Sequence, residues 1–502
     1  MKKMTITIKN LTFGFDSQTI NLFDHTNLMI DTNWKLGLIG RNGRGKTTLL
    51  NLLRGKLPYS GKIEHQMTFT YFPQKIEDKQ QLTYYVLQEL SDFEQWKIER
   101  ELNLLQVDPE ILWREFSSLS GGEQTKVLLA LLFVDDVNFP LIDEPTNHLD
   151  IVARQQVADY LREKRQGFIV VSHDRRFVDG VVDHILSIEK SQLVLYQGNF
   201  SVYEEQKRLR DQHEQEENAK LKKEIGRLKQ TAAEKAEWSR SREGDKTKKK
   251  KGFIDTEARR TNKGAIGADA ARTMKRSKAI VKRMTDQVSE KEKLLKDIEY
   301  IDPLTMNFQP SYHKSLLQVE NLQLSYEKPL FAPITFDLEK GQRIALRGAN
   351  GSGKSSIINY LLGQFNGEAT GKILRPQNVA ISYVRQNYED NRGTLTEFAE
   401  EHHLSYQELL NNLRKLGVER TVFQNRIEQM SMGQRKRVEL AKSLATPAEL
   451  FIWDEPLNYL DVFNQEQLEQ IIQEIQPTML IVEHDETFLQ NVATQIVTLQ
   501  PE

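Results

Sequence analysis

One glycine-rich motif occurs twice in this chain, and the repeat restricts the folds that the chain can adopt. Residues 40–47 read GRNGRGKT and stand between an apolar, strand-like stretch and a helix-like stretch. Residues 348–355 read GANGSGKS, and their lysine, Lys354, lies 308 residues after Lys46. A loop of this type between a strand and a helix is a Walker A motif in its usual context. Two copies in one chain predict two α/β domains of the same kind.

The residue types in this loop suit phosphate binding. Glycines let backbone N–H groups turn toward phosphate oxygens, and the N-terminus of the following helix adds partial positive charge. The lysine of each loop is expected to reach the β and γ phosphates, and the hydroxyl after it is expected to bind Mg²⁺. The predicted nucleotide-binding residues of the two loops are Gly40, Asn42, Gly43, Gly45, Lys46, Thr47, Thr48, Gly348, Asn350, Gly351, Gly353, Lys354, Ser355 and Ser356. The alternative, a glycine-rich turn with an incidental lysine, does not explain the repeat.

An apolar stretch that ends in Asp-Glu also occurs in both halves. It reads PLIDE at 140–144 and FIWDE at 451–455, with the aspartate 97 and 100 residues after the loop lysine. An aspartate at a strand end suits a contact to Mg²⁺, and the next glutamate could act as general base toward a water molecule. We therefore predict metal contacts at Thr47, Asp143, Ser355 and Asp454, and general bases at Glu144 and Glu455. A strand end that merely faces solvent is the alternative, and the matched spacing disfavours it.

Three further motifs occur at matched positions and carry a family resemblance. LSGGE at 119–123 and MSMGQ at 430–434 each place their serine 23 residues before the aspartate of the Asp-Glu stretch, which we call Walker B. His173 and His484 each follow the Walker B glutamate by 29 residues, and a glutamine ends a strand early in each half. Together these motifs resemble the signature, H-loop and Q-loop of ATP-binding-cassette (ABC) ATPases.

The resemblance implies that each ATP is shared, because in this family the Walker A loop of one cassette faces the signature of the other. It pairs Lys46 and Thr47 with Ser431 and Gly433, and Lys354 and Ser355 with Ser120, Gly121 and Gly122. It further implies a nucleotide contact from Gln434, Mg²⁺ contacts from Gln74 and Gln386, roles in hydrolysis for His173 and His484, and adenine stacking by Phe15 and Tyr326. Met432 stands where a glycine is usual, which we expect to affect the rate at that site more than its existence.

A charged linker, residues 201–300, separates the repeats. Its 28 Lys or Arg residues against 19 Asp or Glu residues give it a charge of +9, although the whole chain carries −2. Apolar residues recur at helical spacing over 221–232 and in a seven-residue pattern over 274–298, which predicts an antiparallel helical hairpin. The bend, residues 238–283, is strongly basic, with 16 Lys or Arg against 5 Asp or Glu. Such a bend favours a phosphate-rich partner.

Composition limits the remaining classes. The chain has no cysteine, which excludes disulfides and thiolate metal sites, and no run near the roughly 20 apolar residues of a membrane span. We expect a cytoplasmic protein with ATP and Mg²⁺ as cofactors. The predicted fold is α/β, with two tandem ABC-type P-loop ATPase cassettes at 1–200 and 303–502 joined by a long antiparallel helical hairpin linker at 201–302.

Two cassettes, a long helical linker and no membrane span resemble the ABC-F group, and more narrowly the Lsa-type ribosomal protection proteins. This resemblance implies a monomer that binds the bacterial ribosome at the tRNA exit site, close to large-subunit rRNA and the P-site tRNA. It also implies that the linker tip displaces lincosamides, pleuromutilins and streptogramin A compounds from the peptidyl transferase centre, while ATP hydrolysis times release. The candidate tip residues are Lys248, Lys249, Lys250, Lys251, Phe253, Ile254, Arg259 and Arg260.

Two other functions stay open at this point. A housekeeping ABC-F translation factor without a drug role would carry the same ATP sites. A soluble ATPase subunit of a membrane transporter is the third reading, but a transport subunit has no reason to keep a long basic hairpin. The sequence motifs alone do not separate the first two.

Overall fold

Two compact units make up the chain. The computed structural model describes residues 5–15, 21–135, 137–147, 149–245, 275, 279–288, 303–349 and 351–500. Contacts group residues 1–203 with 301–502 in one unit, and residues 204–300 form the other. The first unit thus contains both repeats. The predicted division at 200 and 302 stays a prediction, since residues 301 and 302 lie outside the described part.

The first repeat contains two sheets. A small antiparallel sheet has the order β2-β1-β4, and a six-stranded sheet has the order β5-β6-β7-β3-β8-β9. The larger sheet is parallel except for the antiparallel pair β8–β9. The strands are β1 (Thr5–Phe13), β2 (Phe23–Asp31), β3 (Lys35–Ile39), β4 (Ser60–Glu64), β5 (Phe69–Phe72), β6 (Phe139–Asp143), β7 (Phe168–Val171), β8 (His184–Glu189) and β9 (Gln192–Gln197).

The second repeat has the same strand order, except that its larger sheet has five strands and no equivalent of β9 among the described residues. Its small sheet has the order β11-β10-β13, and its parallel sheet has the order β14-β15-β16-β12-β17. The strands are β10 (Ser315–Ser325), β11 (Ile334–Glu339), β12 (Arg343–Arg347), β13 (Glu368–Leu374), β14 (Ile381–Val384), β15 (Leu450–Asp454), β16 (Met479–Val482) and β17 (Gln495–Thr498). Together with the helical linker, this confirms the predicted fold class.

Helices pack on the larger sheets, and several corresponding helices of the two repeats begin with the same type of capping residue. In the first repeat they span Lys46–Leu53, Thr83–Leu90, Gln95–Leu104, Gly121–Leu132, Ile151–Glu163 and Arg175–Val181. In the second they span Lys354–Leu361, Leu395–Glu401, Tyr406–Lys415, Met432–Ala445, Val462–Ile475 and Glu486–Val492. Ser120 and Ser431 each close a capping box at the signature helix. Asp150 and Asp461 cap the helix after each Walker B strand.

In each larger sheet, a buried strand, β7 or β16, lies between the two strands that carry the Walker motifs. β7 and β16 contain four buried residues each, as expected of parallel strands with helices on both faces. β1, by contrast, alternates buried and accessible residues at its start, as its sequence predicts. The Walker A loops follow β3 and β12, and the Walker B acids end β6 and β15, so both motifs lie at the carboxyl edge of their sheet.

The linker begins with one long helix, Phe200–Asp245. Its 46 residues make it roughly 69 Å long at ~1.5 Å per residue. Ile225 on this helix is buried, and residues 279–288 are helical with Val288 buried, both at positions of the predicted apolar seams. The tip residues 248–260 lie outside the described residues. Nowhere in the described part does a helix have the length and apolar character of a membrane span.

A backbone irregularity recurs in both small sheets. Asn10 and Asn321 have positive φ angles of 49° and 47°, and the pairing register shifts beside each of them. Gly61 and Gly371 lie opposite, where an added Cβ would be 2.3 Å from the carbonyl oxygen of the facing asparagine. Glycine is therefore required there for space as well as for its φ angle.

We predict that Gly371→Ala destabilises the protein more than Gly363→Ala. Both glycines have a positive φ, and the strain of a side chain there costs roughly 1–2 kcal/mol. Only Gly371 adds a clash with backbone, which costs about 1–3 kcal/mol more, because no atom lies within 4 Å of a Cβ at Gly363. Thermal unfolding of the two full-length variants measures the difference. Equal melting temperatures would contradict this account.

Candidate active site

A cavity of about 560 Å³ lies between the two repeats. The first repeat lines it with Walker A, Walker B and H-loop residues, and the second lines it with its signature. The lining residues that the sequence analysis named are Asn42, Gly43, Glu144, His173, Ser431, Gly433 and Gln434. We call this the first site, and we call the arrangement around Lys354, Glu455 and His484 the second site.

The Walker A loop of the first site presents free backbone donors. Gly45 has φ 96°, and the helix Lys46–Leu53 starts without a side-chain cap, so its first N–H groups are available to a phosphate. Lys46 donates hydrogen bonds to the Gly40 carbonyl (2.7 Å) and to Oδ1 of Asn42 (3.1 Å). Burial lowers the pKa of Lys46, against the opposing effect of nearby carboxylates. Loop and lysine thus form a cationic cradle for a polyphosphate.

Asp143 connects the Walker A hydroxyl to a tyrosine that the sequence analysis missed. Thr47 donates to Oδ2 of Asp143 (2.9 Å), and the Tyr71 hydroxyl donates to the same oxygen (3.1 Å). Burial and Asp143 raise the pKa of Tyr71 above its usual range. Tyr383 shares this position, and burial together with Asp454 raises its pKa to about 12. The sequence could have indicated this pair of tyrosines, because each is the third residue of the strand before the Q-loop.

Glu144 and His173 face each other in the first site. The positive φ of Glu144 (54°) and the bond from its N–H to the Val171 carbonyl (2.8 Å) fix the turn that carries the carboxylate. Its Oε1 lies 3.3 Å from Nε2 of His173. Burial raises the pKa of Glu144 to about 8, and burial together with Lys46 lowers that of His173 to about 3. The imidazole is therefore neutral at physiological pH.

The second site repeats the Walker A contacts. Lys354 donates to the carbonyls of Gly348 (2.9 Å) and Ala349 (2.8 Å). Ser355 hydrogen-bonds to Asp454, as Thr47 does to its aspartate. Burial raises the pKa of Asp454 to about 6.

Glu455 differs from its counterpart in the first site. It has the same kind of turn, with φ 48°, and its Oε1 lies 3.7 Å from Nε2 of His484. Burial opposes its ionisation, but the nearby His484 and hydrogen bonds from Gln386 and Asn458 hold its pKa at about 2. The amide of Asn458 donates at 2.8 Å. Glu455 is therefore ionised at physiological pH, as a proton acceptor must be.

Both sites offer oxygen ligands that suit Mg²⁺. Each pairs a hydroxyl with a carboxylate, and Oδ1 of Asp454 is buried without a hydrogen-bond partner among the described residues. Mg²⁺ bound to a nucleotide takes one or two protein oxygens together with phosphates and water. The described part of the chain contains no group of three His, Cys, Asp or Glu residues placed to hold a metal ion. The predicted Mg²⁺ contacts of Gln74 and Gln386 stay predictions; the first amide donates to the Leu128 carbonyl (3.3 Å).

Contacts across the repeats close the first site. The backbone N–H of Asn42 donates to Oδ2 of Asp461 (2.7 Å), and its side-chain amide donates to the Tyr459 carbonyl (3.1 Å). Further along, Arg175 donates to the Val462 carbonyl (3.1 Å). The sequence analysis did not name Asp461, although Leu460-Asp461 repeats the Leu149-Asp150 pair. In the second site, Asp150 of the first repeat acts electrostatically on Lys354 of the second.

The other predicted residues occupy several places. Thr48 and Ser356 lie in the first turn of the Walker A helices, and Ser120, Gly121 and Gly122 begin the first signature helix. The rings of Phe15 and Tyr326, predicted to stack on adenine, are 42% and 57% exposed. Asn350 and the linker tip lie outside the described residues.

Comparison with known proteins identifies relatives of both repeats. The protein-family model described as ABC transporter matches residues 23–147 and 331–458. The protein named ribosome protection protein VmlR, from Bacillus subtilis, is 30% identical over 97% of this chain and 85% of its own length. The erythromycin resistance ATP-binding protein MsrA of Staphylococcus epidermidis is 28% identical over 97% of both chains. The ATP-binding protein Uup of Escherichia coli is 26% identical over 94% of this chain and 77% of its own length.

Solved structures show the same fold. The archaeal ribosome recycling factor aABCE1, solved in complex with the ribosomal stalk protein aP1, superposes with a TM-score of 0.62. The match covers 98% of this chain and 88% of that one, at 18% identity. A structure of RNase-L Inhibitor gives a TM-score of 0.61 with the same coverage. At this identity the likeness concerns the fold alone.

We predict that Asp461→Asn weakens ATP binding at the first site. Oδ1 of Asp461 accepts the helix-capping bond from Asn464 (2.9 Å) while Oδ2 accepts from Asn42. An amide has one acceptor oxygen and cannot serve both. Loss of a hydrogen bond to a charged group costs roughly 1.5–3 kcal/mol, which corresponds to about tenfold or more in affinity.

This effect is measured as the KM for ATP with the second site disabled by Glu455→Gln. The matched control is Asp150→Asn in the same background, because Asp150 caps the equivalent helix but acts on Lys354. The control should leave the first site unchanged. Equal losses in both variants would mean that the cap, rather than the contact between repeats, is responsible.

Proposed function

This chain belongs to the ABC family of ATPases and, within it, to the ABC-F group, and on that premise we propose that it is an ATP-dependent ribosomal protection factor. One observation carries the proposal. The ATP cavity is lined by both repeats, and a linker that begins with a 46-residue helix separates those repeats in sequence. Closure of the cavity around ATP can therefore act on the linker.

In this proposal, different residues bind the phosphates, accept the proton of water and hold Mg²⁺. Backbone N–H groups of the Walker A loop and Lys46 bind phosphates, while Ser431 and Gly433 of the second repeat contribute donors from the opposite side. At the second site the ionised Glu455 accepts a proton from water, and at the first site Glu144 takes this role once it has lost its own proton. His484 and His173 orient these carboxylates. Bound Mg²⁺ would neutralise phosphate charge, held through Thr47 and Asp143 in the first site, or Ser355 and Asp454 in the second. The loss of phosphate removes the group that both repeats bind, so hydrolysis lets them separate.

The linker supplies the proposed contact with the ribosome. Its charge of +9 suits rRNA and tRNA phosphates, and two relatives are named for ribosome protection and erythromycin resistance. We place the protein at the tRNA exit site, between large-subunit rRNA and the P-site tRNA. In this proposal Lys248–Lys251 and Arg259–Arg260 contact phosphates. Phe253 and Ile254 reach toward the pocket that binds lincosamides, pleuromutilins and streptogramin A.

A housekeeping ABC-F factor is the second candidate function. It is favoured by the match to Uup, whose name carries no drug role. The two functions differ in a cell that is challenged with antibiotics. Expression of this chain in a drug-sensitive bacterium should raise the inhibitory concentration of the three drug classes, and Phe253→Ala should reduce that gain without loss of ribosome co-sedimentation. Ribosome binding with unchanged drug susceptibility would support the housekeeping factor and refute protection.

We predict that Glu144→Gln with Glu455→Gln retains ATP binding but loses about 10²- to 10⁴-fold in kcat. Glutamine keeps the shape of the side chain and cannot accept the proton. The trapped protein should co-sediment with ribosomes in ATP and confer no resistance. Filter binding of labelled ATP, phosphate release and ribosome pelleting measure the three quantities.

The matched control is Glu163→Gln, which changes an exposed glutamate at the end of the helix Ile151–Glu163, outside both Walker B motifs. It should behave as the unmodified chain in all three measurements. Near-normal phosphate release by the double variant would refute the assignment of Glu144 and Glu455 as general bases.

A further inference from the structure

The helix Met432–Ala445 contributes to both nucleotide sites. At its start, Ser431 and Gly433 line the cavity of the first site. One turn later, Lys436 is only 1% exposed, and Asp454 and Glu455 of the second site are among the negative charges that act on it. The same short helix thus meets the phosphate end of one site and the carboxylates of the other.

Lys436 also contacts the segment that holds Glu455. Its Nζ lies 3.5 Å from the carbonyl oxygen of Arg385 and 5.3 Å from the centre of the Tyr388 ring. Arg385 immediately precedes Gln386, whose side chain hydrogen-bonds to Glu455. A buried ammonium keeps its charge only where nearby carboxylates compensate for lost water. A shift of Lys436 would therefore change the electrostatic potential at the second site and the position of Gln386.

A second set of buried charges ties this helix to the same segment. Glu439 is fully buried, and its carboxylate accepts from Arg385 (3.1 Å), Asn391 (2.8 Å) and Lys442 (2.5 Å). Burial opposes its ionisation, but Lys442 and Arg385 hold the pKa of Glu439 at about 2. The ion pairs make the helix and the Q-loop segment move together, because separating them would leave buried charges unpaired.

The first repeat has none of these charges. Matching the signature serines, the Q-loop glutamines and the H-loop histidines of the two repeats places neutral residues at the equivalent positions. Thr125, Leu128, Pro73 and Ser172 stand where the second repeat has Lys436, Glu439, Arg385 and Glu483. The Thr125 hydroxyl donates within its own helix, to the Gly121 carbonyl (2.9 Å). The electrostatic link between signature helix and Walker B acids is therefore confined to the second repeat.

We propose that Lys436 is a positioning residue through which nucleotide bound at the first site controls hydrolysis at the second. Nucleotide bound at Ser431 and Gly433 displaces the start of the helix. Lys436 transmits this displacement to Asp454, Glu455 and the Arg385–Gln386 segment. The link has one direction, since the first repeat carries threonine at this position. The inference rests on the proposed role of Glu455 as general base.

The test compares the first turnover at each site in Lys436→Met, which keeps most of the length of the unbranched side chain and removes its charge. Glu144→Gln leaves only the second site active, and Glu455→Gln leaves only the first. In the first background Lys436→Met should slow hydrolysis of labelled ATP by roughly 2- to 30-fold, the range expected for coupling residues. The KM for ATP should not change, because the effect is on the reaction step. In the second background the rate should stay within about twofold.

Three controls make the result decisive. Thr125→Met, at the matched position of the first repeat, should change neither rate. Lys436→Arg, which keeps the charge, should recover most of the rate at the second site. Ser431→Ala should slow the second site when Lys436 is present and add nothing to Lys436→Met.

Two outcomes would overturn the proposal. One is an equal loss at both sites, which indicates a merely structural role. The other is an unchanged second site in Lys436→Met at normal melting temperature. If neither Glu144→Gln nor Glu455→Gln alters turnover, the general-base assignment itself fails, which is a different result from either of these.

Discussion

The proposed first nucleotide site of this protein is built from contacts that one repeat cannot make alone. The Walker A loop of the first repeat offers N–H groups and Lys46, but the cavity it faces is completed by Ser431 and Gly433. Its Asn42 is held by Asp461 of the second repeat at 2.7 Å. Because these donors come from opposite sides, ATP can stabilise one relative placement of the repeats. A change in phosphate content then becomes a change in shape, which is what a factor that binds and leaves a large partner requires.

The two sites share a plan and differ in electrostatics. In the first, burial dominates and raises the pKa of Glu144 to about 8. In the second, the nearby His484 and hydrogen bonds from Gln386 and Asn458 outweigh burial and hold the pKa of Glu455 at about 2. The buried charges around Lys436 and Glu439 exist only in the second repeat. The two repeats therefore share the residues proposed to bind nucleotide and differ in the charged groups behind them.

Much of this architecture was predictable, because phosphate binding requires short motifs that can be recognised in the sequence. Walker A and B motifs and signatures predicted the two cassettes. Helical spacing over 221–232 predicted a helix in the linker, where the structure has Phe200–Asp245. Tyr71 and Asp461 were missed because their roles come from tertiary contacts: a hydroxyl that reaches Asp143, and a cap that meets the opposite repeat. The unequal sites were also beyond the sequence, since they depend on burial rather than on residue type. In the sequence, only Met432, which stands where a glycine is usual, indicated that the two sites differ.

The central claim, that both repeats share the first ATP site, can be measured in solution. The chain contains no cysteine, so two introduced thiols would be its only ones. The guanidinium of Arg41 lies 5.4 Å from the ring of Phe463 across the contact. In the Glu144→Gln, Glu455→Gln background, an Arg41→Cys, Phe463→Cys chain should be cross-linked efficiently by a short dithiol-reactive reagent in ATP and poorly in ADP. Failure to cross-link in ATP, while both thiols still react with a monofunctional reagent, would contradict the shared site.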